Sequence, residues 1–419
     1  MPTVNETSPA SSTWGAIPAS DVSRRTFNPI RDVLTRPVQP LSTPKSTKEP
    51  ISLSIGDPTV FGNFKTHPAA VEAVEESVRS YSFNGYPPSV GVPVVREAVA
   101  KKYSRPEAPL TADDVIMTSG CSGAVEMAIS VLCNEGQNIL LPRPGFCLYN
   151  TVAGSRNIEA RLYNLLPEKS WEADLEQMES LIDDKTAAIL INNPSNPCGS
   201  NFTKAHLNAI LALCERRKIP LISDEIYADM VFSGQTFTPA ATLTSTVPIL
   251  TLGGLAKQWL VPGWRIGWIL IHDRSNAFSG VRHGLFALST LINGPCAIVQ
   301  AAIPKIFDNV PGSFLPELCQ QLEEHARILE VELNKVPGLD VITPQGAMYV
   351  MVNLDLGAFK DISSDADFCH QLKWEENVEL LPGECFAYPG TFRVVITPPK
   401  DKLHIAAERI AAFCKRHHK

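Results

Sequence analysis

No two of the ten cysteines stand at C-x-x-C spacing, so neither a zinc site nor a thioredoxin-like redox pair is expected. Scattered thiols in a chain of 419 residues fit a reducing compartment better than a disulfide scaffold. No apolar run reaches the ~20 residues needed to span a bilayer. The opening stretch MPTVNETSPASSTWGAIPAS has no basic start followed by an apolar segment, so a secretory signal is not expected either. Positive charge is not in excess: 37 Lys and Arg against 44 Asp and Glu give a net charge of −7 and a pI near 5.8. Such a balance offers no basic field to a nucleic-acid backbone. With 44% hydrophobic and 19% charged residues, the chain reads as a soluble small-molecule enzyme with room for two or three domains. The cytosol is the expected compartment, while Arg24 and Arg25 keep an organellar, mitochondrial reading open.

Residues 1–27 are rich in Ser, Thr and Pro and read as a disordered tail. A second such stretch, RPVQPLSTPKSTKEP (36–50), reads as a loop or linker. From Ile51 onward short apolar runs alternate with amphipathic segments, the pattern of an α/β fold. TAAILI (186–191) suits a strand buried on both faces. After the irregular NNPSNPCGSNF, Thr203 is placed to cap a helix with Leu207, Ile210, Leu211 and Cys214 on one face. PLIS (220–223) then returns as a strand that delivers Asp224 at its carboxyl end, where ligands sit in open α/β sheets. Leu315, Leu318, Leu322, Leu329 and Leu333 mark one face of a long helix, and MYVMVNL and FRVVIT are strands of a smaller α+β domain.

The chemistry starts at GGLAKQWLVPGWRIGW (253–268). An amine such as Lys257 in apolar surroundings has its charged form disfavoured, which suits a nucleophile toward an aldehyde. Arg265, eight residues on, is a fork for phosphate or carboxylate. DVIMTSGCSGAVEMAISVLC reads as strand, turn and helix, with Ser119, Gly120, Cys121 and Ser122 where an anion can sit. Asp224 can keep a pyridine nitrogen protonated, and Tyr227 and Asn196 can bond a ring oxygen. Phe146 can stack on a flat ring. Arg393 puts a charge inside an apolar strand and needs a partner, either a structural carboxylate or that of a substrate. Each signal alone has a bland alternative: a core tyrosine, a helix-capping aspartate, a surface lysine.

In this order the motifs resemble the fold-type I, class I pyridoxal-phosphate-dependent aminotransferases. The likeness runs from NPIR at residue 28 to the last helix and rests most on GGLAKQWLVPGWRIGW, INNPSNPCGSNF, RPGFCLYN, LSIGDP and YSFNGYPPSVG. It implies a large, mostly parallel α/β/α sheet domain (67–324) and a smaller α+β domain built from both chain ends (28–66 and 325–419). It also implies that Lys257 is the Schiff-base lysine and Asp224 the partner of the pyridine nitrogen. Asn196 and Tyr227 would bind the phenolic oxygen, with Asn196 also reaching the substrate, and Phe146 would stack on the ring. Gly120, Cys121, Ser122 and Arg265 would form the phosphate cup. Tyr86 would reach the phosphate of a neighbouring subunit, which implies a homodimer with shared active sites. Arg393, with Gly56 beside it, would clamp the substrate α-carboxylate.

Two positions depart from the family pattern. Many relatives carry a phosphate-binding serine three residues before the lysine, where this chain has Gly254, and Gly123 adds no side chain to the phosphate turn. The resemblance further implies amino transfer from an aromatic amino acid, tyrosine foremost, to a 2-oxo acid such as 2-oxoglutarate. The rival expectations are a broader donor range (alanine, methionine, kynurenine) or a C–S lyase on the same scaffold. A cofactor-sensing regulator would need a DNA-binding segment for which the N-terminus is too short and too polar.

Overall fold

A computed structural model describes Trp14, residues 16–35 and residues 43–419. The shortest N-terminal strand, β1 (Ile51–Ser52), joins a small pair considered below. The next eight strands form one sheet: β2 (Val115–Ser119), β3 (Asn138–Arg143), β4 (Glu159–Leu166), β5 (Glu172–Ala173), β6 (Thr186–Asn192), β7 (Leu221–Asp224), β8 (Ile249–Gly254) and β9 (Ile266–His272). Their order is β2-β9-β8-β7-β6-β3-β4-β5. Strands β4, β3, β6, β7 and β8 are mutually parallel, and β9 is inserted antiparallel between β8 and β2.

The apolar run at 186–191 becomes β6, and its alternate residues enter two different cores. Ala188 and Leu190 belong to one, Ile189 and Ile191 to the other. That is why the sequence shows a continuous apolar run there rather than alternation. The following helix, Lys204–Arg217, is capped as expected by Thr203, whose hydroxyl accepts from the His206 N–H at 3.1 Å. Its Leu207, Ile210, Leu211 and Cys214 all face the core shared with Ile189 and Ile191. β6, β7 and β8 thus end together at Asn192, Asp224 and Gly254.

The smaller unit carries an antiparallel sheet of β10 (Leu339–Ile342), β11 (Tyr349–Leu354), β13 (Leu381–Pro382) and β14 (Thr391–Val395), in the order β10-β11-β14-β13. β1 pairs in parallel with β12 (Val378–Glu379), so both ends of the chain build this unit. The helix Phe314–Leu333 presents Leu318, Leu322, Leu329 and Leu333 to the same core as Val350, Val352 and Val394. A boundary at 324/325 therefore cuts one continuous helix whose buried face from Leu318 onward packs with the small sheet.

The tail reading needs correction where it can be compared. Residues 1–13 and 15 lie outside the described residues, but Asp21–Arg25 is a helix capped by the Ser20 side chain. The Phe27 carbonyl then accepts from the Thr151 hydroxyl at 2.7 Å. A local Ser cap and a contact far away in sequence are what composition missed. The helix Pro29–Thr35 next sets Ile30, Val33 and Leu34 against Leu381, Cys385 and Phe386. Of the linker reading at 36–50, residues 36–42 lie outside the described residues, and 43–50 form no helix or strand.

The amphipathic helix yields a paired prediction. Leu329→Ala removes a fully buried side chain and should cost about 2–5 kcal/mol. Val331→Ala, on the same helix but 55% exposed, should change stability by under ~0.5 kcal/mol. Denaturant midpoints of the two variants check this; equal losses would mean the helix buries a different face.

Candidate active site

The strand ends at Asn192 and Asp224, with Ala256 and Lys257 just past β8, open into a cavity of about 360 Å³ whose walls also include Phe146, Tyr227 and Arg393. Asp224, the last residue of β7, is buried. Its carboxylate accepts from the Tyr149 hydroxyl at 2.7 Å, the Ile226 N–H at 3.1 Å and the Cys121 thiol at 3.6 Å. Burial pushes this carboxyl above its usual range, against the pull of those three donors. No cation lies within 4 Å of it among the described residues. The backbone carbonyl of Asp224 accepts from the Asn192 amide, and Asn192 in turn accepts from the Asn196 N–H at 2.7 Å. This pair of asparagines orders the turn after β6 around the aspartate.

Arg393, in the middle of β14, is buried as well. It donates to the Asn196 side-chain oxygen at 2.8 Å and to the Ser54 carbonyl. Its guanidinium lies 4.4 Å from the Tyr349 ring and 4.8 Å from the Phe386 ring. Its Nε has no partner, and no carboxylate among the described residues forms an ion pair with it. The alternative of a structural ion pair is thereby removed. Burial pushes its pKa down, which is the sign of a charge without a counter-ion.

Lys257 follows β8 and donates to the Gly56 carbonyl at 2.5 Å, with its nitrogen 5.6 Å from the Tyr227 ring centre. The Tyr227 hydroxyl shares a 2.6 Å hydrogen bond with that of Tyr349. At the opposite wall, the helix Gly120–Leu132 begins with no side-chain cap and no acidic residue in its first turn. Arg265 folds across that end: a Cβ on Gly120, which has φ +70°, would stand 2.5 Å from the guanidinium. Cys121 and Ser122 line the cavity beside it. Phe146 forms another wall and meets Tyr149 edge-on at 5.7 Å.

The expected residues therefore converge, with one exception. Tyr86 is 94% exposed and does not line the cavity of its own chain. Gly254 has a physical reason: a Cβ there would lie 2.6 Å from the Ile266 carbonyl, so a serine does not fit. At Gly123 a Cβ would make only ordinary contacts of 3.6–4.0 Å. Three participants were not singled out by sequence: Tyr149, Asn192 and Tyr349. Tyr149 falls three residues after Phe146 but reads as core. Tyr349 hides in an apolar strand pattern. Asn192 was one polar residue in an Asn/Pro-rich turn.

The donor set can be tested against a ligand. Among the described residues, a buried carboxylate without a cation, a helix N-terminus crossed by an exposed arginine without an ion pair, and a buried arginine without an anion ask for complementary charges. A phosphate at the helix end and a protonated ring nitrogen at Asp224 supply two of them, so the residues fit pyridoxal phosphate. The third, at Arg393, is left for a substrate carboxylate.

Comparison with known proteins agrees. The family model "Aminotransferase class I and II" matches residues 48–410. A tyrosine aminotransferase of Mus musculus is 52% identical over 406 residues, covering 97% of this chain and 88% of its own length. A crystal structure of tyrosine aminotransferase from Leishmania infantum superposes with a TM-score of 0.92 at 41% identity, over 97% of this chain and 100% of that one. An alanine aminotransferase from Pyrococcus furiosus superposes with a TM-score of 0.89 at 30% identity, over 96% and 100%. The chain belongs to the class I and II aminotransferases and is a pyridoxal-phosphate-dependent transaminase.

Proposed function

We propose that the protein transfers the amino group of an aromatic L-amino acid, tyrosine foremost, to a 2-oxo acid such as 2-oxoglutarate. The products would be 4-hydroxyphenylpyruvate and glutamate. The observation that carries the chemistry is Arg393, a buried cation in the cavity with no carboxylate of its own. The choice of donor is supported by relatives named tyrosine aminotransferase at 52% and 50% identity over 97% of this chain.

Pyridoxal phosphate, when bound, supplies the electron-accepting ring that stores the amino group between the two half-reactions. The chain's residues do the rest. Lys257 would hold the cofactor, and its amine would carry the proton that leaves the substrate Cα. Asp224 holds a proton on the ring nitrogen. Tyr227 and Asn196 hold the ring oxygen, and Phe146 covers the ring face. Gly120, Cys121, Ser122 and Arg265 receive the phosphate. Arg393 takes the α-carboxylate of donor and acceptor in turn, so both bind in one orientation. Asn28, Ile30 and Arg31 line the mouth of the same cavity. Arg31 forms no ion pair among the described residues, which makes it the candidate for the second carboxylate of a dicarboxylic acceptor. The ten cysteines are all free thiols, in keeping with the cytosol as the proposed compartment.

A homodimer completes the proposal. Tyr86 is 94% exposed, and we assign it to the phosphate site of a partner subunit. Sedimentation should give twice the chain mass, and Tyr86→Phe should weaken cofactor retention on dialysis by ~10-fold. A monomer with full activity would remove the shared-site reading.

Lys257→Ala should abolish turnover while the protein still takes up cofactor non-covalently; undiminished transamination would refute the assignment. Adding L-tyrosine without any 2-oxo acid should bleach the cofactor's long-wavelength absorption, and 2-oxoglutarate should restore it. If alanine bleaches the band and tyrosine leaves it unchanged, the donor class is wrong while the chemistry stands. Steady ammonia release would instead identify a lyase.

A further inference from the structure

Tyr349, the first residue of β11, is buried, yet its hydroxyl stands at the meeting point of the reactive groups. It shares a 2.6 Å hydrogen bond with the Tyr227 hydroxyl and also engages the Lys257 side chain. Its ring carries the Arg393 guanidinium at 4.4 Å. Gly56, whose carbonyl receives the Lys257 amine, makes room for it: a Cβ there would lie 2.2 Å from the Tyr349 oxygen. The polar groups that face the phenol are thus Lys257 from the segment after β8, Tyr227 from the segment after β7, and Arg393 on β14. Burial pushes the phenol up, but the Lys257 ammonium and the Arg393 guanidinium together hold it below the ordinary tyrosine range.

We propose that Tyr349 is a positioning residue for amino transfer: its hydroxyl and the Gly56 carbonyl jointly hold the free Lys257 amine and couple it to the Arg393 clamp. The inference rests on the roles proposed above for Lys257 and Arg393. A free lysine side chain surrenders rotamer entropy when it is fixed. Two oxygens, one on β11 and one on the segment after β1, impose that order once the lysine is released. With the carbon and two hydrogen bonds occupying three directions around a tetrahedral nitrogen, the fourth is set for the substrate proton. A carboxylate that neutralises Arg393 removes one of the two charges acting on the phenol, so occupancy of the clamp reaches the lysine through a single hydroxyl.

The test uses the cofactor-loaded enzyme. Tyr349→Phe should lower kcat by ~10–100-fold while KM for the amino donor stays within ~3-fold, since alignment of a proton carrier is lost but the clamp is kept. A second readout follows the native protein labelled with ¹³C at the tyrosine ring carbon bearing the oxygen. The resonance that Tyr349→Phe deletes reports the ionisation of this phenol. It should move upward when 3-(4-hydroxyphenyl)propionate, a carboxylate lacking the amine, saturates the site. Native kcat in Tyr349→Phe would overturn the proposal, and so would a resonance indifferent to that carboxylate. If the variant binds no cofactor, the shift of the native resonance, assigned from the unloaded variant, decides alone. Failure of the native enzyme to exchange amino groups would sink the transaminase reading instead, so the two failures are distinguishable.

Discussion

Two buried charges of opposite sign that do not neutralise each other govern the organisation of this molecule. Removing the partner of a buried charge costs about 3–5 kcal/mol in ordinary proteins, yet Asp224 and Arg393 are built without ionic partners among the described residues. Neutral groups hold them instead. Asp224 rests on a tyrosine hydroxyl, a backbone N–H and a thiol, and Arg393 on a side-chain amide oxygen and a backbone carbonyl. Apart from the Ile226 N–H beside Asp224 itself, those neutral partners come from the helix after β3, the turn after β6, the helix after β2 and the segment after β1. Holding two unpaired charges in place thus fixes how four separate stretches of chain meet.

The same economy of space explains the backbone around the lysine. The segment after β8 runs so close to β9 that Gly254 has no room for a side chain, because the Ile266 carbonyl occupies it. The hydroxyl that relatives place there is therefore not merely absent; this packing excludes it. In the proposed reading the phosphate end then relies on Arg265, the helix N-terminus and Ser122. Gly120 admits the guanidinium across the helix end for a related reason, since any Cβ would displace it.

Much of this was legible in the chain. Periodicity placed β6, its following helix and Asp224, because local apolar pattern and tertiary burial coincide there. Lys257, Arg265, Asn196 and Tyr227 were legible through motif order rather than through any one residue. Three features were not. Tyr149 and Tyr349 look like core aromatics, since a phenol buried for its oxygen and one buried for its ring leave the same mark in sequence. The stretch up to residue 27 reads as a tail because its order comes from the Ser20 cap and from the Phe27 carbonyl on Thr151, 124 residues away. No local pattern can announce such a contact.

That N-terminal segment divides labour in a way that bears on how the scaffold diversifies. Residues 27–34 tie a helix of the large unit to the patch at Leu381, Cys385 and Phe386, and on the way they line the cavity with Asn28, Ile30, Arg31 and Leu34. The charges that run the chemistry sit elsewhere, on strand ends and their turns. A lineage can therefore redraw one wall of the cavity by altering this short stretch. Its catalytic groups and their folding supports stay untouched, which frees selection on substrate range from selection on reaction rate.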